Sequence, residues 1–499
     1  MVDLGEYWLV RLLFRRTLGV VYFLAFLGAA NQFVPLLGED GVLPFTEYVE
    51  HVRFRDAPSL FQLVPSDRAV GTAAWTGVGL SVLAATGVAD AFGTSISMLV
   101  WGALWALYLS FVNVGRTFYG FGWESLLLET GFLAVFLGGM GTTPPDLVIW
   151  LLRWVLFRVM FGAGLIKLRG DPCWREFTCM FYHYETQPMP NPLSWRFDKL
   201  PGWIHRASIG VHHVVELAVP FLYFAPQPIA AIAGLATIVY QGWLMASGNF
   251  AWLNALTIVL AISTFEDGLL DGLASVASPL APVASSLVPA VTPVTPVGTL
   301  LQFAVYGLLA LVAVLSFWPI RNMLSSGQAM NRSFDPLHLV NTYGAFGSIT
   351  RERYELVIEG TRDDELTDET DWEPYEFKGK PTDSGRRPPQ WAPYHLRLDW
   401  QLWFAAMTPR PRREWFPRFV RKLLAGDEDV RELLERDPFP DDPPTHVRVR
   451  RYRYEYTTPA ERRETGKWWR REFVNRYYGP VSSGDMRRGD LRHGIGVRQ

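Results

Sequence analysis

The first two-thirds of the chain is a succession of apolar stretches, and their length constrains the fold more than any other feature. A segment in hydrocarbon must satisfy its backbone internally, so it is a helix or part of a closed barrel. A helix needs ~20 predominantly apolar residues to cross, or ~17 at the short end. Phe14–Leu37, Gly71–Val88, Ser95–Val114, Trp123–Met140, Leu147–Leu168, Ala207–Phe224, Pro228–Ala246, Phe250–Phe265 and Thr299–Ile320 reach or approach that length, giving about nine predicted spans. The eighth is short. Trp101, Trp123, Trp150, Trp203 and Trp318 lie in or beside these stretches, as interfacial anchors do, and recurrent Gly and Ala suit close helix approach. The apolar run after RLLFRR is too long for the core of a signal peptide, so it reads as an uncleaved first span.

Past residue ~320 the composition changes. This last part holds roughly two-thirds of all Lys and Arg and more than half of the acids. FGSITRERYELVIEG and THVRVRRYRYEYTT alternate as strands do, with Tyr452, Tyr454 and Tyr456 on one face. LRLDWQLWFAAM and WFPRFVRKLLAGDEDVRELLERD read as helices. The expected fold is therefore a polytopic α-helical membrane bundle over 1–330, followed by a soluble C-terminal α+β domain over 331–499. The bundle includes a cysteine- and aromatic-rich loop at 169–206 and a linker rich in Pro, Ala and Ser at 271–298. EYVEHVRFRDAPSLFQLVP, between the first two spans, mixes charge with apolar residues and suggests an interfacial helix.

Charge gives a divided answer on orientation. Arg11, Arg15 and Arg16 before the first span favour a cytoplasmic N-terminus, which with nine spans puts the loop and the C-terminal domain outside. Arg169, Arg175, Arg196, Lys199 and Arg206 in the loop pull the other way. Acids nearly balance the arginines of the C-terminal part, and it follows a membrane bundle, so nucleic acid is not an expected partner. The sequence has no Walker loop, dinucleotide fingerprint, GxSxG elbow or HExxH, so the chain is not recognisable as a lipase itself.

Two cysteines, Cys173 and Cys179, sit in the loop at C-x5-C spacing. They suit one local disulfide on an oxidising side of the membrane, free thiols, or a redox-active pair whose reactivity requires a lowered thiol pKa. Lys167, just before the loop, reads either as a lysine whose ammonium reaches back to the interface or as a desolvated base. His212 and Glu216 fall one turn apart within the sixth span, where ionisable residues mark buried polar networks or proton and metal sites. Two ligands are too few for zinc, so no metal or cofactor is expected. Glu124, Glu129, Arg116 and Arg158 are candidate partners for them.

FGAGLIKLRGDPCWREFTCMFYHYETQPMPNPLSWRFDKLP (161–201) closely resembles the signature of the lipase maturation factor family. YEFKGKPTDSGRRPPQWAPYHLRLDWQLWFAAM (375–407) and GKWWRREFV (466–474) resemble two further blocks of that family. The resemblance implies a non-enzymatic, chaperone-like membrane protein that helps secreted lipases, or related exported clients, to fold and assemble. It implies residence in the endoplasmic reticulum membrane in animals. The compact Arg- and Asp-rich style suits a prokaryotic member, for which the plasma membrane takes that place. It also implies that the loop and the C-terminal domain, lumenal or extracellular, engage the client. Client-binding candidates are Trp174, Tyr182, His183 and Tyr184 in the loop, and Arg386, Arg387, Trp391, Tyr394 and His395 in the second block. The alternative reading of the loop residues is a plug that docks the C-terminal domain onto the bundle. FGAGLIKL also looks like the segment bearing the active-site lysine of vitamin K-dependent carboxylase-like enzymes, an alternative in which Lys167 is the base and His212 and Glu216 line its pocket.

Overall fold

The computed structural model describes residues 7–270, 295, 298–411 and 414–485. Its N-terminal region is helical. The principal helices are α1 (Trp8–Leu37), α2 (Asp67–Thr86), α3 (Thr94–Val114), α4 (Gly122–Val135) and α5 (Asp146–Arg169). They are followed by α6 (Gly202–His213), α7 (Ile229–Ser247), α8 (Leu253–Ala261), α9 (Thr299–Leu315) and α10 (Phe317–Leu324). Six helical stretches among the described residues are long and apolar enough to span a membrane: α1, α2, α3, α5, α7 and the nearly continuous α9–α10. The chain is a multi-pass membrane protein.

The remaining three predicted spans take other forms and do not meet that criterion of length and composition, so the nine predicted spans are not confirmed among the described residues. The fourth becomes α4, only 14 residues long, because the helix ends at Phe136 and the chain turns at Gly138, whose φ is +73°. The sixth is interrupted: after α6 the backbone forms a π turn over Val214–Ala218 and resumes as Val219–Leu222. Pro220 offers no N–H there, and His212, His213 and Glu216 make the segment too polar to count as an apolar span. The eighth is the short helical stretch Leu253–Thr264.

The interfacial helix expected between α1 and α2 amounts to Phe45–Val49 and a single 3-10 turn at Leu60–Gln62. The predicted linker at 271–298 lies outside the described residues, apart from Thr295 and Gly298.

Close packing of α1 on α2 depends on glycine. A Cβ on Gly77 would fall 2.2 Å from the ring of Phe26, and one on Gly19 would fall 2.6 Å from the backbone of Ala85. The arginines read as a basic flank lie inside α1. Arg15 is buried and bonds Asp90 at 3.1 Å and the Ala134 carbonyl at 3.0 Å. Arg11 is buried as well and donates to the carbonyls of Leu137 and Met140. Their charge is spent within the bundle, which removes them from the orientation count.

The C-terminal region is α+β. A four-stranded antiparallel sheet has the order β2-β1-β3-β4, with β1 Arg353–Thr361, β2 Glu373–Pro374, β3 His446–Tyr456 and β4 Trp469–Ser482. Alternation along β3 places Tyr452, Tyr454 and Tyr456 in one buried cluster with Val357, Trp468 and Trp469. Two helices accompany the sheet: α11 (Arg397–Ala406) and α12 (Trp415–Leu424). In α12, Trp415, Phe416, Phe419, Val420, Leu423 and Leu424 are buried, the stripe of a helix that packs on one side.

Candidate functional site

The loop after α5 is folded, with little free chain. Cys173 and Cys179 are disulfide-bonded, with Cα atoms 4.9 Å apart, and both are fully buried beside Trp174, Met180, Tyr184 and Ile209. Asp171 accepts the Cys173 N–H at 3.0 Å and two bonds from Arg351 at 2.8 and 2.9 Å. The Arg351 guanidinium holds the Asp171 carboxyl down at about 2.

Arg353, at the start of β1, ties this loop to the sheet. Its buried guanidinium donates to the carbonyls of Glu185 at 3.0 Å, Gln187 at 2.5 Å and Pro188 at 3.4 Å, and it pairs with Glu355. Lys380 brings a second cation to the same carboxylate, 2.9 Å from Glu355, and burial draws its ammonium down to about 8. Glu185 accepts the Tyr456 N–H at 2.7 Å, and burial pushes its carboxyl up to about 7. Trp403 Nε1 donates to the Thr186 carbonyl and Trp195 Nε1 to that of Thr457.

Beside this latch lies a cavity of about 660 Å³, lined by α5, α6, α7, α8, the cysteine loop, residues 343–350 and α11. Its walls are mainly apolar: Val159, Met160, Ala163, Phe250, Phe346, Trp403 and Phe404 among others. Lys167, Trp174, His183, His212 and Glu216 share it. Lys167 does not reach out to the interface. It is 4% exposed, pairs with Glu216 and lies 5.0 Å from the centre of the Trp174 ring. Glu216 also accepts the Tyr240 hydroxyl at 2.6 Å, so its partners are Lys167 and Tyr240, and neither Arg116 nor Arg158. His212 Nδ1 contacts the Ser208 carbonyl at 2.6 Å, and its ring meets those of Trp174 and Tyr240. Burial lowers His183 to about 3, so its imidazole is neutral near pH 7.

The two acids of α4 face the C-terminal segment. Glu129 pairs with Arg158 and accepts from the Tyr343 hydroxyl at 2.6 Å and from the Asn341 backbone at 3.1 Å. Glu124 is bound by the Tyr108 hydroxyl and by Arg397 Nη1 at 2.7 Å. Arg116 lies elsewhere, 3.3 Å from Glu414.

Most client-binding candidates turn inward in this structure. Trp174, His183, Tyr184 and His395 are buried. His395 approaches Glu124 at 3.6 Å and the Trp123 indole at 3.4 Å. Tyr394 accepts a bond from Gln32 at 3.1 Å, and Trp391 donates to the Lys378 carbonyl at 3.1 Å. Arg386 donates to the Phe377 and Lys378 carbonyls, while Arg387 stays exposed beside Trp468. Tyr182 is half-buried under the Arg351 guanidinium, 4.4 Å from its ring centre.

Sequence reasoning passed over Gln32 and Asn249. Gln32 of α1 bonds the backbone of His395 at 2.7 Å and of Arg397 at 2.9 Å. Asn249 bonds the backbone N–H groups of Trp391 and Ala392, both at 2.8 Å. A lone amide in or at the end of an apolar span was the available signal.

Comparison with known proteins agrees with both halves of this architecture. Residues 9–272 match the lipase maturation factor transmembrane domain, and residues 339–479 match the lipase maturation factor C-terminal domain. Bovine lipase maturation factor 1 is 40% identical over 97% of this chain and 91% of its own length. The human protein of that name is 40% identical over 97% and 89%. Human lipase maturation factor 2 is 30% identical over 98% of this chain and 85% of its own. No solved structure matches. With both domains matched and identity sustained along nearly the whole chain, this protein belongs to the lipase maturation factor family.

Proposed function

We propose that this chain is a membrane-bound maturation factor that helps secreted lipases, or related exported proteins, reach their active fold. The observation that carries the reading is 40% identity to lipase maturation factor 1 across 97% of the chain, spanning bundle and C-terminal region alike. The bundle, the cysteine loop and the C-terminal segment work as one body, because Glu124, Glu129, Arg353 and Asn249 bond across their boundaries. Assistance arises from tighter binding of immature than of mature client, since only differential affinity shifts such an equilibrium. The C-terminal sheet faces the lumenal or extracellular side, where an exported client passes.

Support for a client surface comes from β4. It is the outer strand of the sheet, 14 residues long, and it exposes Phe473 by 50% and Val474 by 43%. An exposed edge strand with apolar side chains invites pairing with another extended chain. Arg387 adds an exposed cation on the C-terminal segment. The matches lend no support to the carboxylase-like reading of Lys167.

The test is the specific activity of secreted lipase, per mass of enzyme, from cells with and without this chain. A fall in specific activity on its loss, with inactive lipase accumulating inside, is the expected result. Unchanged specific activity would refute the proposal.

A further inference from the structure

We propose that the cavity between the bundle and α11 binds an uncharged, single-chain acyl lipid with a small polar head, of the monoacylglycerol class. This site stands independently of the lipase reading.

Size and lining come first. About 660 Å³ is within the ~300–1,000 Å³ of small-molecule sites, and a mostly apolar wall with a few polar groups is their usual construction. Left dry, such a volume deprives its lining atoms of dispersion partners. Filled with water, it sets that water against Val159, Ala163, Phe250, Phe346 and Phe404, which offer it nothing to bond. An apolar chain meets both demands.

Uncharged polar side chains stand among the apolar ones: Thr257, Asn331, Ser348 and Thr350 line the same cavity, and groups of that kind bond a hydroxyl or an ester carbonyl. A few neutral donors and acceptors in an apolar wall suit a small uncharged head.

Charge excludes the other common acyl amphiphiles. The Lys167 ammonium is already committed to Glu216, so the pair is neutral overall. His183, the other basic group on the loop side, is neutral near pH 7. A fatty-acid carboxylate or a lipid phosphate would enter without a free counter-charge, which desolvation penalises.

The experiment uses the full-length chain in nanodiscs and a monoacylglycerol probe with a photoreactive acyl chain, followed by peptide mapping. Labelling is expected on cavity segments of α5, α8 or α11, and excess monooleoylglycerol should compete at least about tenfold better than oleate or lysophosphatidylcholine. Ala163→Phe, which fills the cavity from α5, should abolish that labelling while leaving the thermal transition in place. Labelling confined to lipid-facing positions such as Leu300 and Val314, equal competition by all three lipids, or no labelling above a solvent control would each overturn the proposal. The competition arms read the unaltered protein, so they decide the matter even if Ala163→Phe fails to fold. Lipase output is not measured, so a negative result leaves the maturation role untouched.

Discussion

Glu124 in α4 and Arg397 in α11 lie 273 residues apart in sequence, yet Arg397 Nη1 sits 2.7 Å from the Glu124 carboxylate with both side chains fully buried. Arg397 also bonds the Phe118 carbonyl at 2.7 Å, and its guanidinium lies 3.4 Å from the centre of the Tyr119 ring. The C-terminal segment is thus clasped by the bundle through a charge pair with no water to fall back on.

Breaking one side of that pair leaves an uncompensated buried charge, which costs about 3–5 kcal/mol, whereas replacing both partners with apolar residues of similar volume is often neutral. Arg397→Met should therefore lower stability by about that amount, and Glu124→Leu combined with Arg397→Met should recover most of it. Denaturant unfolding of the single and double variants in mixed micelles measures both. Additive losses in the double variant would show that the pair is not the clasp.

The Cys173–Cys179 disulfide closes a very short loop, so its effect on the unfolded chain is modest, about 2 kcal/mol on the chain-entropy account. Because both sulfurs are buried, a reductant should reach them only after the loop opens. Alkylation following mild reduction of the folded protein should add no mass, and after reduction in denaturant it should add two labels. Labelling of the native protein without reductant would refute the bond.

Glu185 gives the loop–sheet latch a pH dependence. Its folded pKa of about 7 is above the ordinary ~4.3, so the native state holds its proton more tightly than the unfolded chain does. The resulting stability is complete below the ordinary value and is lost as pH rises through 7, by about 4 kcal/mol at most. His183 and His395, drawn down to about 3 and about 4, act in the opposite sense below pH ~6.5. The difference between the unaltered chain and Glu185→Gln isolates the carboxyl. Between pH 5 and 8 the unaltered chain should lose stability relative to Glu185→Gln, and parallel curves would refute the assignment.

Much of this architecture could be read from residue patterns, because both halves obey simple periodicities. Apolar length marked the six long spans, and alternation marked β1 and β3 with their tyrosines. Length failed at α4 and α6, where buried acids and histidines make tertiary bonds that a hydropathy window cannot weigh. Single residues were legible as unusual, but their partners were not. Glu124 and Glu129 stood out as acids among apolar neighbours, yet nothing local indicates that Arg397, Asn341 and Tyr343 meet them from more than 200 positions away. The same holds for Arg353, which looks like any strand arginine until the loop carbonyls it collects are seen.

Lys167 shows how far a pair seen in the structure changes a prediction. As a base, its function would not survive replacement by arginine, a group that stays charged at any physiological pH. As the cation that neutralises Glu216 beneath the cavity, it should be replaceable by arginine, because the neighbouring space accommodates the larger guanidinium. Lys167→Arg should then fold normally and sustain full lipase specific activity in cells. Lys167→Met strands a buried carboxylate and should cost about 3–5 kcal/mol, with lipase output falling as the folded protein falls. Adding Glu216→Gln to Lys167→Met removes the stranded charge and should restore both. Folded yield by size-exclusion chromatography, measured beside lipase specific activity, separates the two roles. Normal yield of Lys167→Arg with no lipase activity would mean that the lysine acts by chemistry a guanidinium cannot supply, and the structural assignment would fall.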